Sequence, residues 1–132
     1  MEALLISDQP LAQLRMRSML RALDRNATLC EAQDMAQAMG MLCGDHRFGF
    51  IVLDLDTRGT RPLMNTALLR DLWPSLPLLV LSSKASESTL AQAVDLGAMG
   101  HLPKSADTAS FVEAFTSVLA GRPFPSALKL AA

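Results

Sequence analysis

Residues 50–56, Phe50-Ile51-Val52-Leu53-Asp54-Leu55-Asp56, constrain the fold more than any other stretch. Four apolar residues follow Gly49 without a break and run into two acids. That pattern predicts a strand buried on both faces. A charge where such a strand ends falls at the carboxyl edge of a sheet, where open α/β folds place their sites. Unpaired buried carboxylates are costly, so Asp54 and Asp56 require a cation or a basic residue nearby.

The chain is long enough, at 132 residues, to form one domain burying roughly two-thirds of its unfolded surface. Hydrophobic residues make up 50% and charged residues 19%, which excludes a disordered or highly solvated chain. The net charge of −1 gives no electrostatic reason for this segment to bind nucleic acid. Arg15, Arg17, Arg21 and Arg25 read as a solvated helix face. No apolar run reaches membrane-spanning length, and the start Met-Glu-Ala-Leu-Leu-Ile lacks the basic region and cleavage site of a secretory signal. A cytoplasmic protein without membrane association is expected. Cys30 and Cys43 fall in apolar contexts and are expected as buried, reduced thiols. His46 and His101 read as isolated from each other and from both cysteines, so no zinc site is expected.

Ala-Leu-Leu-Ile-Ser at 3–7 reads as a first buried strand, followed by Asp8-Gln9-Pro10. Pro10 suits the first turn of a helix, where its missing donor goes unused. Leu11, Leu14, Met19 and Leu23 then recur at helical spacing as its apolar face. Residues 27–31 form a short second strand, and Asp34 can cap a second helix through Met35, Ala38, Met39 and Leu42. The third strand is the opening stretch. A loop from Thr57 to Arg61 leads to a helix from about Pro62 to Leu72, closed by Trp73-Pro74. Residues 77–82 are a fourth strand. Ser86 or Ser88 caps a helix through Leu90, Ala93 and Leu96, ended by Gly97. Residues 100–103 are a fifth strand, and Phe111, Phe115, Val118 and Leu119 mark a last helix ending at Gly121.

Five strands alternating with five helices predict an α/β fold, a doubly wound five-stranded parallel sheet of flavodoxin-like order 2-1-3-4-5. The expected domain is 1–121, and 122–132 reads as a linker or appended tail. Its Lys-Leu-Ala-Ala end looks like a cloning-site remnant, so a domain excised from a longer protein is expected. The eight methionines read as core filler.

In this topology the first and third strands are neighbours, so Asp8 and Asp54 face one another across their carboxyl ends. The fourth and fifth strands bring Ser82 and Lys104 to the same edge. Like charges at such range repel, and an all-oxygen site suits Mg²⁺. With that charge opposed, one carboxylate can accept a phosphoryl group as nucleophile.

Here the sequence resembles the receiver domains of bacterial two-component response regulators, over about residues 2–121. The matching segments are Leu-Leu-Ile-Ser-Asp, Ile-Val-Leu-Asp-Leu, Val-Leu-Ser-Ser and Gly-Ala-Met-Gly-His-Leu-Pro-Lys-Ser, in order, at successive strand ends. The resemblance implies Asp54 as phosphoacceptor, and Asp8, Asp54 and the carbonyl of Asp56 as Mg²⁺ ligands. It implies Ser82 as the switch hydroxyl, Lys104 as the phosphate-contacting lysine, and His101 at the place of a switching aromatic ring. Ser7 and Ser83 flank these positions as supporting residues. Leu-Ala-Gly-Arg-Pro-Phe-Pro resembles the end of receivers that precede a LuxR-type helix-turn-helix.

Three departures stand out. The family generally carries two adjacent acids after the first strand, and here the first is Ser7. Asp56 restores a charge where most relatives have a neutral or basic residue. Thr57-Arg58 replaces the family's Met-Pro, and Pro62 its loop glycine.

The expected function is a Mg²⁺-dependent switch, phosphorylated on Asp54 by a sensor histidine kinase. It would relay through the face of the fourth helix, fifth strand and fifth helix. It is not expected to be a turnover enzyme, and it would reach DNA only through an output domain outside this chain. The alternative is a pseudo-receiver that binds a protein partner without phosphate, which Ser7 and the altered loop favour. An aspartyl phosphohydrolase is rejected, because Arg58 stands where such enzymes carry threonine and no acid pair follows Lys104. The last helix, with Glu113 its only charge, suits either a homodimer face or a buried position.

Overall fold

The computed structural model describes residues 1–57, 61–83 and 87–124. The strands are β1 (Glu2–Ile6), β2 (Thr28–Ala32), β3 (Phe48–Asp54), β4 (Leu78–Ser82) and β5 (Gly100–Pro103). The helices between and after them are α1 (Pro10–Leu23), α2 (Met35–Leu42), α3 (Pro62–Leu72), α4 (Glu87–Asp95) and α5 (Thr108–Leu119). All strand pairs are parallel, in the order β2-β1-β3-β4-β5. The expected fold class and strand order are those observed. Strand ends differ from the sequence reading by one or two residues, as hydrogen bonding rather than apolarity sets them.

Alternation along each strand divides the core in two. Ala3, Leu5, Phe50, Val52, Leu79 and Leu81 point to the face covered by α1 and α5. Leu4, Ile6, Ile51, Leu53, Leu78 and Val80 point to the other face, where Ala38, Leu42, Leu69 and Ala93 of α2, α3 and α4 pack. The unbroken apolar run of β3 is thus the sign of a strand covered twice. Phe50 lies 5.0 Å from Phe115, and Phe111 meets Phe115 edge-on at 5.7 Å, so three rings hold α5 to the sheet.

The α1 face differs from the sequence reading. Met16, Met19 and Leu20 are buried, while Leu11 and Leu14 are 69% and 62% exposed. Met16, Met19 and Leu20 form one stripe at helical spacing, and Leu11 and Leu14 lie off it. Arg17, Arg21 and Arg25 are exposed as expected, but Arg15 is partly buried. Its guanidinium donates to the carbonyls of Lys104 and Ala106, tying α1 to the β5–α5 loop.

Asp34 does cap α2, accepting from the Gln37 backbone at 2.8 Å. Both cysteines are free, but neither is buried: Cys30 is partly exposed on edge strand β2, and Cys43 is exposed at the end of α2. An edge strand is covered on fewer sides than a central one, which a local apolar context does not reveal. After α5 the chain turns at Gly121 (φ +77°) and Phe124 pairs with β5, donating to Met99 and accepting from His101, each at 2.9 Å. The expected cap at Ser86 or Ser88, the side chain of Leu90, residues 58–60 and the tail from 125 lie outside the described residues and side chains.

Candidate functional site

The carboxyl edge of the sheet gathers the expected polar residues because four strands end there in register. Ile6 pairs with Leu53, so Ser7 lies level with Asp54 and Asp8 one step beyond. Asp54 pairs with Leu81, and Ser82 with Pro103. Ser82 and Lys104 therefore come to the same edge, where the Lys104 amide donates to the Ser82 carbonyl at 3.0 Å.

Asp54 is fully buried, and its charge is met on every side. Lys104 Nζ lies 2.7 Å from Oδ2. The Ser7 hydroxyl donates to the same oxygen at 2.7 Å, and the Asp56 amide donates to Oδ1 at 2.9 Å. Charge-assisted bonds of this kind make a buried carboxylate tolerable. Ser7, also fully buried, thus bonds Asp54 directly instead of adding a second charge.

Asp56 turns its side chain toward the end of β4. Its Oδ2 accepts from the Ser83 amide at 2.9 Å and hydroxyl at 2.7 Å, and lies 3.1 Å from Lys104 Nζ. The Ser82 hydroxyl is 3.4 Å from its Oδ1. Partial burial pushes the Asp56 carboxyl up, but the Ser83 hydrogen bonds and Lys104 outweigh this and hold it below the usual carboxylate range.

Asp8 is half-buried at the same edge. Gln9, not Asp8, is the residue at the amino-terminal cap position of α1. His101 lies in β5 level with Val80, half-buried, and burial lowers its pKa below the ordinary imidazole value.

One participant has no counterpart in the sequence reading. Gln9 reaches across the site, its Oε1 accepting from Lys104 Nζ at 2.8 Å and its Nε2 donating to the Asp56 carbonyl at 3.3 Å. Gln13 supports it from the next turn, donating to the Ser7 carbonyl at 2.8 Å. A glutamine after a strand reads as ordinary loop polarity, and its proximity to Asp8 was the only available signal.

The donor set suits a hard divalent cation. It comprises the carboxylates of Asp8 and Asp54 and the Asp56 carbonyl, all oxygen, beside an ammonium that balances the charge. The Asp56 carbonyl also accepts from Gln9 Nε2 at 3.3 Å, which leaves its second lone pair for a cation.

The histidines are not both isolated. His46 Nδ1 is 2.7 Å from Glu2 Oε1 and 3.9 Å from Cys30 Sγ, across the opposite edge of the sheet. The sequence reading missed this because the fold joins residues 44 and 16 positions apart.

Residues 3–116 match the family described as the response regulator receiver domain. The chain is 31% identical over 134 residues to the transcriptional activator protein ExaE of Pseudomonas putida, covering 99% of this chain and 62% of that protein. The chain therefore spans about three-fifths of that relative's length. A response regulator from Burkholderia pseudomallei, solved with a phosphorylated aspartic acid, calcium ion and citrate, is 30% identical with a TM-score of 0.73. The match covers 91% of this chain and 69% of that one. A LuxR-family two-component response regulator from Aurantimonas sp. SI85-9A1 is 26% identical with a TM-score of 0.78, covering 92% of this chain and 86% of that one.

Proposed function

This chain belongs to the response regulator receiver domain family, and on that premise we propose that it is a signalling switch phosphorylated on Asp54. The observation that carries this reading is fully buried Asp54 with the partly buried Lys104 ammonium 2.7 Å away at a strand end. A carboxylate in that position is oriented by the Asp56 amide and faces an ammonium able to hold an incoming phosphoryl oxygen.

The donor is a phosphohistidine of a sensor kinase. The P–N bond breaks as a bond from phosphorus to an Asp54 oxygen forms, and the leaving imidazole keeps the electron pair. Asp8, Asp54 and the Asp56 carbonyl would hold Mg²⁺, which when bound would neutralise charge on the transferring group. Lys104 contacts the phosphoryl oxygens, and Gln9 releases Lys104 to do so. Ser82 turns its hydroxyl from Asp56 toward the new phosphate, and half-buried His101 follows on β5. Ser7 and Ser83 hold the two acids in place. The change is read on the face of α4, β5 and α5.

The receiver unit spans 1–121, followed by a linker pinned at first by the Phe124 bridge. A LuxR-type DNA-binding domain outside this sequence supplies the output, as the activator ExaE and the LuxR-family neighbour suggest. Cytoplasmic location accords with a kinase partner. Among the described residues no helix is long and apolar enough to cross a membrane.

A second reading, a phosphate-independent protein-binding module, draws on one observation. Asp54 already has Lys104, the Ser7 hydroxyl and the Asp56 amide as partners, so the fold has no need of a metal to tolerate it. One experiment separates the two. On incubation with Mg²⁺ and acetyl phosphate, intact mass should rise by one phosphoryl group in the wild type and not in Asp54→Asn. No gain at saturating Mg²⁺ overturns the switch and favours the binding module.

A further inference from the structure

We propose that Glu2, Cys30 and His46 form a binding site for a soft divalent transition-metal ion of the zinc class. It lies at the amino edge of the sheet, opposite the acidic site. Three segments contribute: Glu2 opens β1, Cys30 lies in β2, and His46 precedes β3. Glu2 pairs with Thr28 and Leu4 with Cys30, so alternation sets Glu2 and Cys30 on the same face of the sheet. Phe48, the register partner of Glu2, carries the His46 ring stacked on its own, with centroids 5.0 Å apart and planes 11° from parallel. The stack orients the imidazole, and Nδ1 is the nitrogen turned toward both other ligands.

One ligand atom from each residue lies within 4.8 Å of the others. Tetrahedral zinc, with bonds of about 2.0–2.1 Å to nitrogen and oxygen and about 2.3 Å to sulfur, separates its ligands by roughly 3.3–3.6 Å. The Cys30–His46 distance of 3.9 Å closes by a few tenths of an ångström. The Glu2–His46 distance of 2.7 Å opens by a similar amount, within reach of side-chain rotation. A groove lined by Glu2, Met41, Gly44, Asp45 and His46 gives access from solvent and leaves the fourth position to water.

The donor set decides the class of ion. Thiolate and imidazole select zinc-like ions, whereas the all-oxygen site at the other edge selects hard ones. The two sites can therefore be loaded independently. Binding releases the Cys30 thiol proton to solvent and links three separate segments, so the ion should also raise the melting temperature.

The test uses Co²⁺ as a spectroscopic probe on the full chain, in excess Mg²⁺ and under reducing conditions. One equivalent should produce a thiolate-to-cobalt charge-transfer band and the visible bands of a tetrahedral ion, both removed by one equivalent of Zn²⁺. Cys30→Ser should abolish the charge-transfer band. His46→Gln should weaken Co²⁺ affinity at least about tenfold, while Cys43→Ser and Asp54→Asn leave both unchanged. Melting curves identify any variant that fails to fold, and His46→Gln, at a partly exposed position, then carries the test. Absence of a charge-transfer band in the wild type overturns the proposal. So does a band that survives Cys30→Ser or follows Cys43. The Asp54→Asn arm keeps this result separate from the phosphorylation reading.

Discussion

Ser7 bears on how the acidic edge would take up the proposed Mg²⁺. Its hydroxyl donates to Asp54 at 2.7 Å in a fully buried position, where the family generally carries an acid. Ser7→Asp would set two carboxylates within hydrogen-bonding distance, a repulsion that a divalent cation relieves. The variant should melt lower than wild type in EDTA and bind Mg²⁺ about tenfold more tightly, ~1.4 kcal/mol, by titration calorimetry. Unchanged affinity would show that Asp56 already supplies the missing charge. Asp54 and Lys104 were legible because a charge at the end of an apolar run needs a partner. Gln9 was not, because its two bonds, to Lys104 and to the Asp56 carbonyl, join positions the linear chain keeps apart.

Strand β5 shows what a single element contributes beyond its own residues. Gly100 is hemmed in by its neighbours. A Cβ there would lie 2.7 Å from Leu79 Cδ1, 2.9 Å from the Phe124 carbonyl oxygen and 3.1 Å from Val118 Cγ2. The Phe124 oxygen is backbone and also accepts from His101, so it cannot yield without losing the bridge that closes the sheet edge. Gly100→Ala should cost about 1–3 kcal/mol in urea denaturation and speed hydrogen exchange at the His101 amide. Retained protection of that amide would show that the bridge tolerates the added methyl. The strands themselves were legible from apolar runs between turn residues. The face of α1 was not: Leu11 and Leu14 fit a helical repeat as well as Met16 and Met19 do. Packing against α5 and the sheet chose the second stripe.

Across the whole molecule the two halves of the core differ in how they are closed. The α1–α5 face is keyed by the Phe50–Phe115–Phe111 cluster, and Phe115 is 1% exposed. Phe115→Ala should destabilise the chain by about 3–5 kcal/mol, measured by denaturant unfolding. If Asp54 accepts a phosphoryl group as proposed, folded Phe115→Ala should do so to the wild-type extent, since Phe115 touches the core and not the carboxyl edge. A loss far below that range would mean that neighbouring side chains collapse into the space. The two chemically distinct edges lie at opposite ends of this core, joined by β1 and β3.

The amino-acid sequence by itself determined the class of fold, the order of its elements and the residues at the carboxyl edge. Apolar runs and their flanking turns are local signals, and parallel strands in a doubly wound sheet must end together. Only the tertiary structure decided which stripe of α1 is buried, what Gln9 and Arg15 bind, and that Glu2, Cys30 and His46 meet. Those outcomes depend on contacts between distant positions. Such contacts leave no periodic trace in a single sequence, because the geometry that creates them exists only once the sheet has formed.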